Sequence, residues 1–136
     1  MIINYQGQQP HQATPGDAGY DLRACTPKSL APGETAMVHT GLHCAIPAGH
    51  AGLVCSRSGL ALKCSVFVLN APGVVDHGYT GEVGVILHNA GSKYFDIAIG
   101  DRIAQLLIVP VAHPQWVNAP LDATVRGDGG FGSSGK

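Results

Sequence analysis

The sequence predicts an all-β fold of many short strands, closed as a sandwich, a barrel or a jelly roll. Two observations carry this. Helical periodicity is nearly absent, and short apolar runs rich in β-branched residues are broken at close intervals by Pro27, Pro32-Gly33, Gly41, Pro47, Pro72-Gly73, Gly78, Gly91, Gly100 and Pro110. The one exception is Ser58-Gly59-Leu60-Ala61-Leu62-Lys63, which can form a turn or two of helix.

A chain of 136 residues is expected to be one domain with a modest core. Charged residues make up 12%, about half the usual share of roughly 25%. The formal net charge of −1 argues against broad binding to nucleic acid or to an anionic membrane. No apolar run approaches the roughly 20 residues of a membrane span. The four cysteines, Cys25, Cys44, Cys55 and Cys64, form no C-x-x-C pair, so a zinc site is not expected. Residues 1–6 lack a basic region followed by a long apolar one, so the expectation is free thiols in a reducing cytoplasm. The charges that are present are placed unevenly. Arg23, Arg57, Arg102 and Arg126 each fall in a short cluster of polar residues and glycine, which points toward anion binding.

In chain order, the first cluster is Ala18-Gly19-Tyr20-Asp21-Leu22-Arg23-Ala24. Asp21 and Arg23 lie two apart and share a face of an extended strand. They form either a surface ion pair worth about 0–1 kcal/mol or a site whose carboxylate helps hold a hydrated metal ion. Next, Cys55-Ser56-Arg57-Ser58-Gly59-Leu60-Ala61 follows an apolar strand and enters the helical stretch. A guanidinium fork, a hydroxyl and exposed backbone N–H groups suit a phosphate; the alternative is an ordinary helix start capped by Ser56 or Ser58.

The centre of the chain, from Leu69 to Asn89, reads as a β-hairpin: two apolar runs flank Asp76-His77-Gly78-Tyr79-Thr80-Gly81. Asp76, Tyr79 and Asn70 bring a carboxylate, a phenol and an amide to an apolar neighbourhood. That is either a small-ligand site or turn decoration. Further on, Gly100-Asp101-Arg102-Ile103-Ala104-Gln105-Leu106-Leu107 enters a strand. Asp101-Arg102 reads as a structural turn and ion pair. Gln105, polar within an apolar run, requires a hydrogen-bonding partner in protein or ligand. The last stretch is Arg126-Gly127-Asp128-Gly129-Gly130-Phe131-Gly132-Ser133-Ser134-Gly135-Lys136, with nothing aliphatic to build a core. The division expected is therefore a β-domain over residues 1–125 and a flexible glycine-rich arm over residues 126–136. Glycines that wrap an anion, an Arg and a stacking Phe suit a lid.

The five stretches AGYDLRA, SRSGLA, GVVDHGYTGEV, GDRIAQLL and RGDGGFGSSG, in this order, resemble the five motifs of the homotrimeric dUTPase family (dUTP nucleotidohydrolases). The resemblance runs from Ala18 to Gly135. It implies a distorted jelly-roll or β-clip-like barrel assembled as a homotrimer, with active sites between subunits and the C-terminal arm closing over them. The implied activity is that of a dUTP diphosphatase: Mg²⁺-dependent hydrolysis of dUTP to dUMP and pyrophosphate by water attack on the α-phosphorus.

Carried over by position, the resemblance makes Asp76 the residue that orients and activates the attacking water. Tyr79 becomes the ring beneath the deoxyribose. Asn70, with backbone groups near Val74, Val75 and Gly84, becomes the reader of uracil. Asp21 matches the carboxylate that touches Mg²⁺ through water, in keeping with an ion that retains several waters. Arg57, Ser58, Gly59 and Gln105 match phosphate contacts, Arg126 the γ-phosphate clamp, Phe131 the uracil-stacking lid, and Ser133 and Ser134 the tail segment on the terminal phosphate. Two departures stand out. Ser56 occupies a place where the family often has Pro, and Gly84 replaces a larger residue found in some relatives. A nearer alternative sharing the fold is dCTP deaminase, whose proton-transferring Glu aligns with Ile86 here, so the required acid–base group is absent. Another is a relative that binds nucleotide without turnover.

Overall fold

The fold is known from a computed structural model that describes residues 1–133, so the expectation for Ser134 lies outside the described residues. Among the described residues its regular structure is all β apart from one short helix, as the punctuation predicts. In chain order the strands are β1 (Tyr5–Gly7), β2 (Tyr20–Arg23), β3 (Lys28–Leu30), β4 (Thr35–Val38), β5 (Leu42–Cys44), β6 (His50–Cys55), β7 (Val66–Val68), β8 (Gly73–Val75), β9 (Val85–Asn89), β10 (Phe95–Ile97) and β11 (Arg102–Pro110). The helix α1 (Ser58–Cys64) lies between β6 and β7. No helix among the described residues is long and apolar enough to cross a membrane.

All pairings are antiparallel, in a four-stranded sheet β2-β11-β6-β8, a three-stranded sheet β4-β9-β7 and two-stranded ladders β1-β5 and β10-β3. Short strands cannot bury an apolar face alone, so the sheets close on a common core. Leu22, Val54 and Leu106 of the larger sheet meet Val38, Val68, Val85 and Leu87 of the smaller one within it. Burying each such side chain stabilises by about 1.5–3 kcal/mol.

The exit of β9 is secured by a polar knot. Asn89 is fully buried, and its Nδ2 donates to the carbonyls of Leu30 (2.9 Å) and Lys93 (2.8 Å) while its Oδ1 accepts the Gly91 N–H at 2.9 Å. Asn89→Ala should lower the unfolding free energy by about 1–3 kcal/mol, since buried groups lose their partners. Urea denaturation checks this; an unchanged midpoint would show that water replaces the amide.

Two features differ from the sequence expectation. The residues 69–89 do not form a ladder with one another: β8 pairs with β6 in one sheet, and β9 pairs with β4 and β7 in the other. The reason lies in the turn. His43 makes an isolated bridge to Glu82, Val83 N–H donates to Leu42 C=O at 2.8 Å, and the segment after Tyr79 therefore docks on β5 before entering β9. The second feature is a bulge in β11. Arg102 faces Arg23 and Ala104 faces Leu22, so Ile103 is an extra residue in the ladder with β2. Ile103 and Ala104 are both buried as a result. Beyond Pro110 there is no strand among the described residues, and Trp116, Val117, Leu121 and Val125 are exposed.

Candidate active site

The bulge at Ile103 decides which side chains meet. Residues three apart on a regular strand point to opposite faces. With one residue inserted, Arg102 and Gln105 share the outer face of the larger sheet with Asp21 and Arg23. Cys55, opposite Gln105 from the other side, leads into Ser56 and Arg57. Asp21, Arg57, Arg102 and Gln105 thus form one polar group at one end of the sheet.

Within this group the Asp21 carboxylate lies 3.3 Å from Arg102 Nη1 and 3.7 Å from Arg57 Nε, and Arg57 Nη1 donates to the Arg102 carbonyl at 2.9 Å. Arg102 is half exposed, so the ion pairs contribute no more than about 1 kcal/mol; their effect is to orient the guanidinium groups. The expected Asp21–Arg23 pairing is not the one formed. Arg23 instead donates to the Gly100 carbonyl at 2.8 Å. Asp101 likewise takes no part in an ion pair with Arg102: its Oδ2 accepts the Ala98 N–H at 2.9 Å. Gln105 finds a protein partner, donating from Nε2 to the Ser56 carbonyl at 3.0 Å. A Cβ on Gly19 would overlap Gln105 Oε1, so the glycine in the first motif makes room for the amide in the fourth.

The helix α1 begins with Arg57 as its N-terminal cap at φ −92° and ψ 127°, with no capping side chain. Neither serine caps it: Ser56 Oγ accepts the Val68 N–H at 2.9 Å, and Ser58 is the first helical residue. Ser58 and Gly59 are exposed beside Arg57, leaving a hydroxyl and unpaired first-turn amides open to solvent.

A second group gathers around β8. This strand is the edge of its sheet, so alternate backbone groups of Gly73–Val75 face outward with no strand against them. Val74 is exposed and Val75 buried. The Asn70 side chain lies over Gly73, whose Cβ would come 3.1 Å from Asn70 Nδ2. Gly84 sits under Met37; a Cβ there would come 2.8 Å from Sδ, at the movable end of that side chain.

Asp76 and Tyr79 lie just beyond β8, and their turn is heavily fastened. His77 Nδ1 donates to the Ile46 carbonyl at 2.8 Å, and His43 Nδ1 to the Thr80 carbonyl at 3.1 Å. Tyr79 Oη donates to the Glu82 carbonyl at 2.9 Å. The Gly41 N–H, and after it the His39 imidazole, hold the Glu82 carboxyl below its ordinary range. Glu82 does not stand out in the sequence, and Arg102 does so only as a member of a polar cluster, not as a partner of Asp21; both owe their place to partners distant along the chain.

The two groups do not converge within one chain. Asp21 is level with Cys55 at the end of β6, and Asp76 follows Val75, which is level with Gly52. Three strand steps across and about four residues along separate them, about 20 Å diagonally. Among the described residues the tail joins neither: Arg126 Nε donates to the Gly129 carbonyl at 2.9 Å, Ser133 N–H donates to the Gly130 carbonyl at 3.0 Å, and Phe131 is fully exposed. Among the described residues no group of three or more His, Cys, Asp or Glu is placed to hold a metal ion.

The dUTPase family model matches residues 6–135. The chain is 51% identical over 128 residues to the deoxyuridine 5'-triphosphate nucleotidohydrolase of Anaeromyxobacter sp. (strain Fw109-5), covering 93% of this chain and 87% of that protein. It is 51% identical over 131 residues to the protein of that name from Methylocella silvestris, covering 93% and 82%. Among solved structures, a Staphylococcus bacteriophage 80alpha dUTPase variant with dUpNHpp is similar with a TM-score of 0.90 and 28% identity, over 99% of both chains. A dUTPase variant from phage phi11 of S. aureus, described with a structural Mg(II) ion, shares the fold at a TM-score of 0.83 and 24% identity, over 91% of this chain and 100% of that one. A match across nearly the whole chain means that the protein belongs to the dUTPase family.

Proposed function

We infer that the chain is a dUTP diphosphatase, converting dUTP to dUMP and pyrophosphate by water attack on the α-phosphorus, with Mg²⁺ as cofactor and a homotrimer as the working unit. One observation supports the assembly: Asp76 and Asp21 lie about 20 Å apart across the larger sheet of one chain. A general base must come within about 2.6–3.2 Å of the proton it takes, directly or through one water. The Asp76 turn of one subunit therefore works against the Asp21, Arg57 and Gln105 face of a neighbour. Exposed apolar side chains favour burial against such neighbours, notably Met37 and Ile86, paired on the outer face of the smaller sheet, and Trp116 and Leu121 beyond the last strand.

Each residue then has a task. The open edge of β8 and the Asn70 amide pair with uracil, and the Tyr79 ring lies under the deoxyribose. Arg57, Ser58, Gly59 and Gln105 hold the phosphates, and Asp76 takes the proton of the attacking water. Arg126, Ser133 and Ser134 close on the terminal phosphate while Phe131 covers the base. Asp21 would hold a hydrated Mg²⁺ only through water: a single carboxylate beside two guanidinium groups is no cage, but it would suffice for an ion that keeps several of its waters. When bound, the ion neutralises charge on the triphosphate and its leaving group. A cytoplasmic location belongs to the same reading and accords with four free cysteines.

Pyrophosphate release from dUTP, dCTP, dTTP and UTP, with and without Mg²⁺, tests the reading. Turnover of dUTP alone, dependent on Mg²⁺, is expected. Consumption of dCTP would overturn it in favour of a deaminase, although Ile86, half exposed on β9, supplies no acid–base group there. No turnover at all would leave a nucleotide-binding protein.

A further inference from the structure

We propose that Glu82 is a positioning residue for Tyr79, and through that ring sets the discrimination between deoxyribo- and ribonucleotides. The inference rests on Tyr79 being the ring beneath the sugar. Glu82 is anchored at both ends. Its Oε1 accepts the N–H groups of Thr40 at 2.9 Å and Gly41 at 2.7 Å, and its Oε2 accepts His39 Nδ1 at 2.9 Å. Its own backbone carbonyl is the acceptor for the phenol of Tyr79, at 2.9 Å. One residue therefore ties the ring to the connection between β4 and β5.

That connection is a firm base. Thr40 is buried, its hydroxyl donates to the Val83 carbonyl at 2.6 Å, and the same oxygen accepts the Leu42 N–H at 3.2 Å. The space between ring and anchor is closed by Gly81, where a Cβ would overlap the phenol oxygen and come 2.5 Å from Cζ. The phenol therefore rests on bare backbone, and its height is set by where the Glu82 carbonyl stands. A ring that excludes a 2′-hydroxyl by contact works only at a fixed height, since misplacement by about 1 Å suffices to cost 10²-fold in a positioned reaction. Glutamate reaches both amides with one oxygen; aspartate, one methylene shorter, does not. Glutamine keeps the oxygen that accepts both amides and changes only the end facing His39, where an amide N–H₂ replaces the accepting oxygen and meets the other imidazole tautomer.

The test is kcat/KM for dUTP and for UTP in the wild type, Glu82→Ala, Glu82→Asp and Glu82→Gln, with hydrogen exchange of the Thr40 and Gly41 amides followed alongside. The dUTP-to-UTP ratio should fall by about tenfold or more in Glu82→Ala, fall less in Glu82→Asp, and stay near the wild-type value in Glu82→Gln. Amide protection should follow the same order. Equal losses on both substrates with an unchanged ratio would overturn the proposal and leave Glu82 a stabilising residue only. Should Glu82→Ala fail to fold, a wild-type ratio in Glu82→Asp with unprotected amides would overturn it equally. A wild-type enzyme that turns over UTP as readily as dUTP would refute the role given to Tyr79 itself, a failure distinct from that of Glu82.

Discussion

Asp76→Asn should retain fold and nucleotide binding yet lower the rate of pyrophosphate release by about 10²–10⁴-fold, the range that general-base catalysis contributes. The carboxylate is exposed and follows β8 directly, so the core loses nothing by its replacement. Asparagine has the same shape, but its amide does not take a proton from water. The turn is held by groups other than this side chain: His77 on Ile46, His43 on Thr80, and the Tyr79 N–H on the Asp76 backbone carbonyl at 3.2 Å. Three measurements separate the possibilities. Thermal melting reports the fold, calorimetric titration with a non-hydrolysable dUTP analogue reports binding, and single-turnover pyrophosphate release reports chemistry. A variant that turns over dUTP like the wild type would refute Asp76 as the base.

Deleting residues 126–136 is expected to leave a folded, assembled protein whose turnover falls by about 10³-fold or more, on the scale of an arginine that neutralises charge in phosphoryl transfer. The last strand ends at Pro110, and Arg126, Phe131 and Ser133 are exposed and bonded only within their own stretch. Their removal therefore takes nothing from the core. The loss should be concentrated in kcat, because the open edge of β8, proposed to read the base, is left in place. Arg126→Ala should reproduce most of the effect, and Phe131→Ala should act chiefly on KM, since stacking on a base is worth about 1–3 kcal/mol. Gel filtration and steady-state kinetics check both points. Full activity after truncation would show that the segment is no lid.

How far the sequence alone reveals this depends on the range of each interaction. The β class follows from local facts, since Pro and Gly end strands wherever they fall, and the brief helix at residues 58–64 is equally local. Asp76, Tyr79 and Asn70 can be singled out because they stand beside apolar runs, and Arg57 because it falls in a short cluster of polar residues and glycine. Pairing between strands is not local, and the misreading of residues 69–89 as a hairpin shows the cost. Its two apolar runs alternate well enough to pair, but Glu82 is bound instead by backbone amides about 40 positions earlier. The partner of Arg102 is hidden for a related reason: Asp21 is 81 residues away and reaches it only across a bulge. Gly19 resembles turn glycine in the sequence, yet its purpose is to admit the amide of Gln105. A stabilising local preference can be read from composition; a contact chosen by the closed barrel cannot.

The extra residue in β11 has a consequence for how the strand divides its labour. An offset of one residue normally sends every following side chain to the wrong side. Here the offset is built in, so β11 is two strands spliced out of phase, with Ile103 as the splice. The join converts the two-residue rhythm of a strand into an interval of three. Arg102 and Gln105 stand at the spacing by which a helix, rather than a strand, aligns its side chains, and the sheet gains a polar pair without surrendering an inward position to it.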